Sequence, residues 1–90
     1  MGVAHQIREK LTAGLYPERL EITDESDSHR GHVGARPGGE THFRVEIVAA
    51  AFRGKSRLER QRLVYALLKD EMAQRIHALS LVARAPGEAG

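Results

Sequence analysis

Hydrophobic and polar residues recur along the chain with two periods, which together predict an α-β-β-α-β order of elements. From Val3 to Leu15 apolar side chains return every three or four residues, as in a helix with one covered face. Pro17 cannot continue that helix because it has no backbone N–H. Alternating apolar and polar residues predict strands at Leu20 to Asp24, from His42 to Ala49, and at Ala78 to Arg84.

A second helix is predicted to begin near Ser56 and to run to Met72. Ser56 and Glu59 have the spacing of a capping box, in which two side chains bond the otherwise unpaired N–H groups of the first turn. The apolar stripe of this helix is wide, so we expect it to be covered on more than one side. Its members are Leu58, Leu63, Val64, Tyr65, Leu67, Leu68 and Met72.

Connection rules convert this order into a topology. The first two strands pair most simply as antiparallel neighbours, and the strand-helix-strand crossover makes the third strand parallel to the second. We therefore predict one α+β (or α/β) domain over residues 1–90, a three-stranded mixed sheet with its helices on one face. A flexible loop is predicted at residues 27–39, with His29, His32 and four glycines, and a frayed tail at residues 85–90.

The composition narrows the possible functions. With 41% hydrophobic and 29% charged residues and no long apolar run, we predict a soluble cytoplasmic protein with no membrane partner. The chain has no cysteine, so disulfides, thiolate catalysis and cysteine-only metal sites are excluded. A metal would need histidine or carboxylate ligands, or sulfur from a partner. No nucleophile and base pair stands out, so we predict a protein that is not an enzyme.

A cluster of histidines forms the first candidate site. The predicted topology places His77, at the start of the third strand, near His42 and beside the loop with His29 and His32. Imidazole is a good ligand for zinc and iron. Ordinary titrating loop histidines, and a partly buried His77 at the rim of the apolar face, remain the alternatives, and for His42 a surface residue is favoured.

A basic turn forms the second candidate site, a sheet-length away from the histidines. A glycine turn that leads into a helix N-terminus presents N–H groups and positive charge to a phosphate backbone. A capped, solvated helix start is the commoner use of such a segment, and a net charge of +2 favours only weak electrostatic contact with nucleic acid. The residues concerned are Arg53, Gly54, Lys55, Arg57, Arg60 and Arg62.

Several linked motifs resemble the BolA family. They are Asp24-Glu25-Ser26, Gly39-Glu40-Thr41-His42-Phe43, Phe52-Arg53-Gly54 and Ile76-His77-Ala78-Leu79, in order between Ile7 and Ala85. The resemblance implies a class II KH-like fold. At position 61, between Arg60 and Arg62, this chain has glutamine where the family often has histidine.

The resemblance also implies a role in iron-sulfur cluster handling and iron homeostasis. A monothiol glutaredoxin cysteine and a glutathione thiol would hold a bridging [2Fe–2S] cluster together with two ligands from this chain, and no cofactor is expected in the isolated chain. His77 is one implied ligand, and His29 is the other, with His32 as the alternative. As the alternative, the family also suggests a DNA-binding transcriptional regulator, and the chain alone is expected to be a monomer or a weak homodimer.

Overall fold

The computed structural model describes residues 2–25 and 42–88, which form three helices, one short 3-10 turn and three strands. No helix in these two ranges is long and apolar enough to cross a membrane. The elements are α1 (Val3–Leu15), β1 (Arg19–Asp24), β2 (His42–Val48), the 3-10 turn (Ala50–Phe52), α2 (Arg57–Leu67), α3 (Lys69–Gln74) and β3 (Ala78–Arg84).

The three strands form one mixed sheet in the order β1-β2-β3. β1 runs antiparallel to β2, with Ile22 opposite Val45. β3 runs parallel to β2, with Phe43 opposite Leu79. The predicted fold class and strand directions are therefore confirmed. Because β2 and β3 are parallel, both begin at the same end of the sheet.

The core lies between the central strand and the helices. Phe43, Val45 and Ile47 alternate along β2 and are at most 1% exposed. Fully burying an apolar side chain of this size contributes roughly 1.5–3 kcal/mol. Facing them, α1 buries one side chain on each of its turns: Val3, Ile7, Leu11 and Leu15.

The region predicted as one helix to Met72 is divided at Leu68 into α2 and α3. Leu68 has φ −102° and ψ 20°, away from helical values. The N–H of Leu68 still donates to the oxygen of Val64 at 3.1 Å, and that of Met72 to Leu68 at 2.8 Å. Bonds of helical spacing therefore cross the junction, although the backbone of Leu68 departs from the helical conformation. The Leu68 side chain is fully buried, so this residue is held in the core.

The first turn of α2 differs in one respect from the predicted apolar stripe. The capping box is confirmed, because Ser56 Oγ accepts from the N–H of Glu59 at 3.1 Å and the Ser56 N–H donates to Glu59 Oε1 at 2.7 Å. These bonds lower the pKa of Glu59. Leu58, however, is 53% exposed, and it lies in a continuous run of exposed residues, 53–59. The buried part of the stripe begins later, at Val64.

Residues 85–88, which belong to the tail predicted to fray, form a turn that is bonded to the domain. Ala85 is only 2% exposed. Its N–H donates to Glu88 Oε1 at 2.8 Å, and the Glu88 N–H donates to the oxygen of Ala85 at 3.1 Å. A buried alanine and a carboxylate that accepts from the backbone hold this part of the tail. The hydrophobic periodicity of the sequence predicts neither the burial of Ala85 nor its bond to Glu88.

Candidate functional site

His42 and His77 lie side by side where β2 and β3 begin. His42 is the first residue of β2 and is paired with Ala78, the first residue of β3. His77 directly precedes Ala78 and therefore lies close to His42. The two ring centroids are 5.9 Å apart and the ring planes meet at 73°, an edge-to-face arrangement. The proximity of these histidines, which the topology predicted, is therefore observed.

His77 is exposed, whereas the sequence pattern placed it at the rim of the apolar face. The cause is the neighbouring residue, Ile76, which is 5% exposed and occupies the core position. The N–H groups of Arg75 and Ile76 both donate to the oxygen of Glu71, at 2.8 and 2.9 Å. These two hydrogen bonds to one carbonyl oxygen end α3 and hold Ile76 toward the core. The side chain of the next residue, His77, is therefore exposed to solvent.

His29 and His32, the candidate loop ligands, lie outside the described residues. The positions that flank their segment are described, however, and they meet at the histidine end of the sheet. The N–H of Glu25 donates to the oxygen of His42 at 2.7 Å. Within residues 2–25 and 42–88, no group of three or more histidine or carboxylate side chains is placed to hold a metal ion. A site with two or three histidine ligands therefore stays a prediction.

The basic turn lies at the opposite end of β2, after the 3-10 turn. Gly54 has φ 73°, a left-handed conformation that a side chain would strain, and no atom lies within 4 Å of the position a Cβ would take. Glycine is thus required here by its backbone conformation and not by lack of space. Around it Arg53, Lys55, Arg57 and Arg62 are all exposed.

Arg60, predicted as part of the basic site, is used inside the domain instead. Its side chain is 13% exposed. Its guanidinium donates to the backbone oxygens of Lys55 and Ala83 at 3.0 and 3.1 Å, and to both carboxylate oxygens of Glu88 at 2.6 and 2.8 Å. It also lies 5.9 Å from the centre of the Phe52 ring. Arg60 therefore joins the basic turn, β3 and the tail.

Glu88 is the residue that sequence reasoning missed at this end of the molecule. The Arg60 guanidinium, and then the Ala85 N–H, lower the pKa of its carboxyl from 4.5 to about 2. The same contact raises the pKa of Arg60. The pair is separated by 28 residues, beyond the reach of any helical or strand period. No local signal in the sequence identifies it.

Comparison with known proteins yields one family. The family model described as BolA-like protein matches residues 11–88. SufE-like protein 1, chloroplastic/mitochondrial, of Arabidopsis thaliana is 49% identical over 87 residues, which are 92% of this chain and 24% of that protein. BolA-like protein 1 of Bos taurus is 48% identical over 82 residues, covering 91% of this chain and 58% of that protein. The chain thus spans a quarter to three fifths of these two relatives.

A solved structure agrees with the fold. The BolA domain of SufE1 from Arabidopsis thaliana superposes with a TM-score of 0.86 at 48% identity, covering 99% of each chain. The name of the SufE-like relative places that protein in chloroplasts and mitochondria. The cytoplasmic location predicted for this chain stays a prediction.

Proposed function

The chain belongs to the BolA-like family, and from that premise we propose that it is a non-enzymatic adaptor that shares a [2Fe–2S] cluster with a monothiol glutaredoxin. In this proposal the glutaredoxin cysteine and a glutathione thiol supply sulfur. His77 and one histidine of the segment between β1 and β2 supply nitrogen. The cluster is cargo in iron-sulfur trafficking and iron homeostasis, held jointly during transfer.

The observation that carries the proposal is the surroundings of His77. Its imidazole is exposed, and within residues 2–25 and 42–88 no hydrogen bond or ion pair occupies it. The flanks of the segment that contains His29 and His32 are bonded together at the same end of the sheet. A second imidazole from that segment would therefore have a short path to the metal that His77 binds, and a partner could approach from solvent.

The donor set fits a shared cluster better than a resident one. A [2Fe–2S] cluster commonly needs four thiolates, and this chain has none. Replacing two thiolates by two imidazoles on one iron gives the ligation of Rieske centres, which raises the reduction potential. Such a site requires only histidines from this chain when the glutaredoxin cysteine and the glutathione thiol supply the two sulfur ligands.

The test is reconstitution with a purified monothiol glutaredoxin, glutathione, iron and sulfide, followed by visible absorption and circular dichroism. We expect His77→Ala to lose the spectrum of the mixed complex and to leave that of the glutaredoxin homodimer. His29→Ala should do the same if His29 is the second ligand, whereas His32→Ala should then leave the spectrum unchanged.

A matched control is His5→Ala, because His5 is an imidazole of α1 that pairs with Glu9. This variant should retain the full spectrum. An unchanged spectrum for His77→Ala would contradict the assignment of His77. Zinc retained by the chain purified alone would instead favour a mononuclear site made from His29, His32 and His77.

DNA binding is a second candidate, favoured by the exposure of four cationic side chains around Gly54. The contact would be made to phosphates, since Phe52, the aromatic residue beside the turn, is fully buried and unavailable for stacking on bases. Double charge reversal, Arg53→Glu with Lys55→Glu, should abolish salt-dependent binding to duplex DNA in an anisotropy titration. Binding that ignores both charges would eliminate this candidate.

A further inference from the structure

The two edges of the sheet differ in how they are protected against pairing with another strand. β1 has the sequence Arg-Leu-Glu-Ile-Thr-Asp, and the Arg19 and Glu21 side chains pair with each other on the surface at 3.0 Å. β3 has the sequence Ala-Leu-Ser-Leu-Val-Ala-Arg, with no charge before its last residue. Charged side chains on an edge strand discourage strand addition, so the edge of β3 lacks the protection that β1 has.

The backbone of β3 leaves hydrogen-bonding groups at this edge. The oxygen of Arg84 accepts from the N–H of Ala49, on the β2 side. In a parallel ladder alternate residues face the same neighbour, so the N–H and C=O groups of Leu79, Leu81 and Ala83 face away from β2. Arg60 bonds the oxygen of Ala83. In the part of the chain that the structure describes, nothing comparable bonds Leu79 or Leu81.

A groove runs along the same edge, between α2 and β3, with a volume of about 720 Å³. Tyr65, Leu79 and Leu81 give it half-buried apolar walls, while Arg57 and Arg84 give it positive charge. Arg60 and Glu88 also line it, but their mutual pairing cancels their charges. Among the described residues, the groove therefore combines an apolar surface, backbone groups of Leu79 and Leu81 that have no partner, and two cations, Arg57 and Arg84, that are in no ion pair.

We propose that this groove, defined by Arg57, Tyr65, Leu79, Leu81 and Arg84, binds an extended segment of a partner protein as a fourth strand. Backbone groups of the segment would pair with Leu79 and Leu81, as in other cases of strand addition. Apolar side chains on alternate positions would contact Tyr65 and the two leucines. Acidic side chains in the same segment would meet Arg57 and Arg84.

Charge decides between this occupant and two others. A second copy of the chain, added edge to edge, would bring no carboxylate of its own β3 to the two arginines, because β3 contains none. Within the groove a nucleic acid would meet only Arg57 and Arg84 beside an apolar wall, because Arg53, Lys55 and Arg62 do not line it. An acidic and apolar extended peptide matches both the charge and the open backbone groups.

The experiment uses the whole chain and a fluorescent peptide of alternating glutamate and valine. Fluorescence anisotropy gives the affinity, and NMR of the 15N-labelled chain gives amide exchange. We expect the amides of Leu79 and Leu81 to become protected from exchange on binding, and Arg57→Glu to weaken binding by roughly tenfold. The matched control is Arg62→Glu, since Arg62 is exposed on the same helix and does not line the groove.

Arg62→Glu should leave the affinity within about twofold, because surface charges outside a contact contribute little. A peptide of alternating lysine and valine should bind more weakly than the glutamate peptide. Equal binding of the two peptides, or unprotected Leu79 and Leu81 amides, would overturn the proposal. So would an oligonucleotide that displaces the glutamate peptide, or sedimentation showing that the chain alone dimerises through β3.

Discussion

Both ends of the sheet contain side chains that were candidate binding residues, but the structure uses these side chains differently. At the histidine end, His77 is exposed and lies 5.9 Å from His42, measured between ring centroids. At the basic end, Arg60 directs its guanidinium to two backbone oxygens and to Glu88. One end presents an imidazole to solvent, and the other uses Arg60 to hold the domain together.

This contrast shows that a functional residue type does not by itself indicate a functional residue. Arg60 has the same charge as its exposed neighbours Arg57 and Arg62, yet it is the one whose side chain is mostly buried. His77 is exposed because Ile76 occupies the adjacent core position. Substitutions at the basic end should therefore change mainly stability, and those at the histidine end mainly metal chemistry.

The largest stability effect is expected for Phe52→Ala. Phe52 is fully buried under the Arg60 guanidinium, so truncation removes its packing and leaves a cavity. The free energy of unfolding should fall by about 3–5 kcal/mol. Urea denaturation followed by circular dichroism measures it. Leu58→Ala, at an exposed apolar position of the adjoining helix, is the control and should cost far less. Equal losses in the two variants would contradict the claim that the basic end of the sheet stabilises the fold through the packing of Phe52.

A smaller loss is expected for Ser56→Ala, which removes the N-terminal cap of α2. The hydroxyl of Ser56 accepts from the Glu59 N–H, and its removal leaves that donor without its partner. The free energy of unfolding should fall by about 1 kcal/mol. Ser56→Asp, which retains an acceptor at the cap, should be close to wild type in the same denaturation experiment. A similar loss in both variants would show that the cap bond is not the cause.

The Arg60 and Glu88 pair predicts a stability difference that depends on pH. The folded-state pKa of Glu88 is about 2, below its ordinary value of 4.5, so the ionised carboxylate stabilises the folded chain. This contribution is complete above pH 4.5 and is lost as the pH falls toward 2. Glu88→Gln should therefore be less stable than wild type at pH 7, and the difference should shrink in urea titrations from pH 5 to pH 3.

The control for that series is Glu18→Gln, at an exposed position before β1. Its difference from wild type should be small. A Glu88→Gln difference that stays constant from pH 7 to pH 3 would show that the carboxylate charge does not stabilise the tail.

The smallest stability effect is expected for His77→Ala, although this variant has the largest predicted effect on cluster binding. His77 is exposed, so its removal should change the free energy of unfolding by no more than about 0.5 kcal/mol. Thermal and urea denaturation of the chain alone measure this. A large loss would mean that His77 supports the fold, and its spectral effect could no longer be assigned to ligation.

The amino-acid sequence by itself determined the order of elements, the bounds of α1 and β3, the Ser56 cap and the directions of the strands. These features depend on contacts between near neighbours or on general connection rules. The parity of Phe43, Val45 and Ile47 predicted their burial for the same reason. Motif resemblance added the family, because several short motifs had to occur together in one order.

Only the tertiary structure decided how individual side chains are used. The non-helical backbone of Leu68, the exposure of Leu58 and the inward position of Ile76 depend on which elements pack against each residue. The bond from Arg60 to Glu88 joins positions 28 residues apart, and the open edge of β3 follows from its place in the sheet. Periodicity records local spacing, whereas these features arise from contacts that form only when distant segments meet.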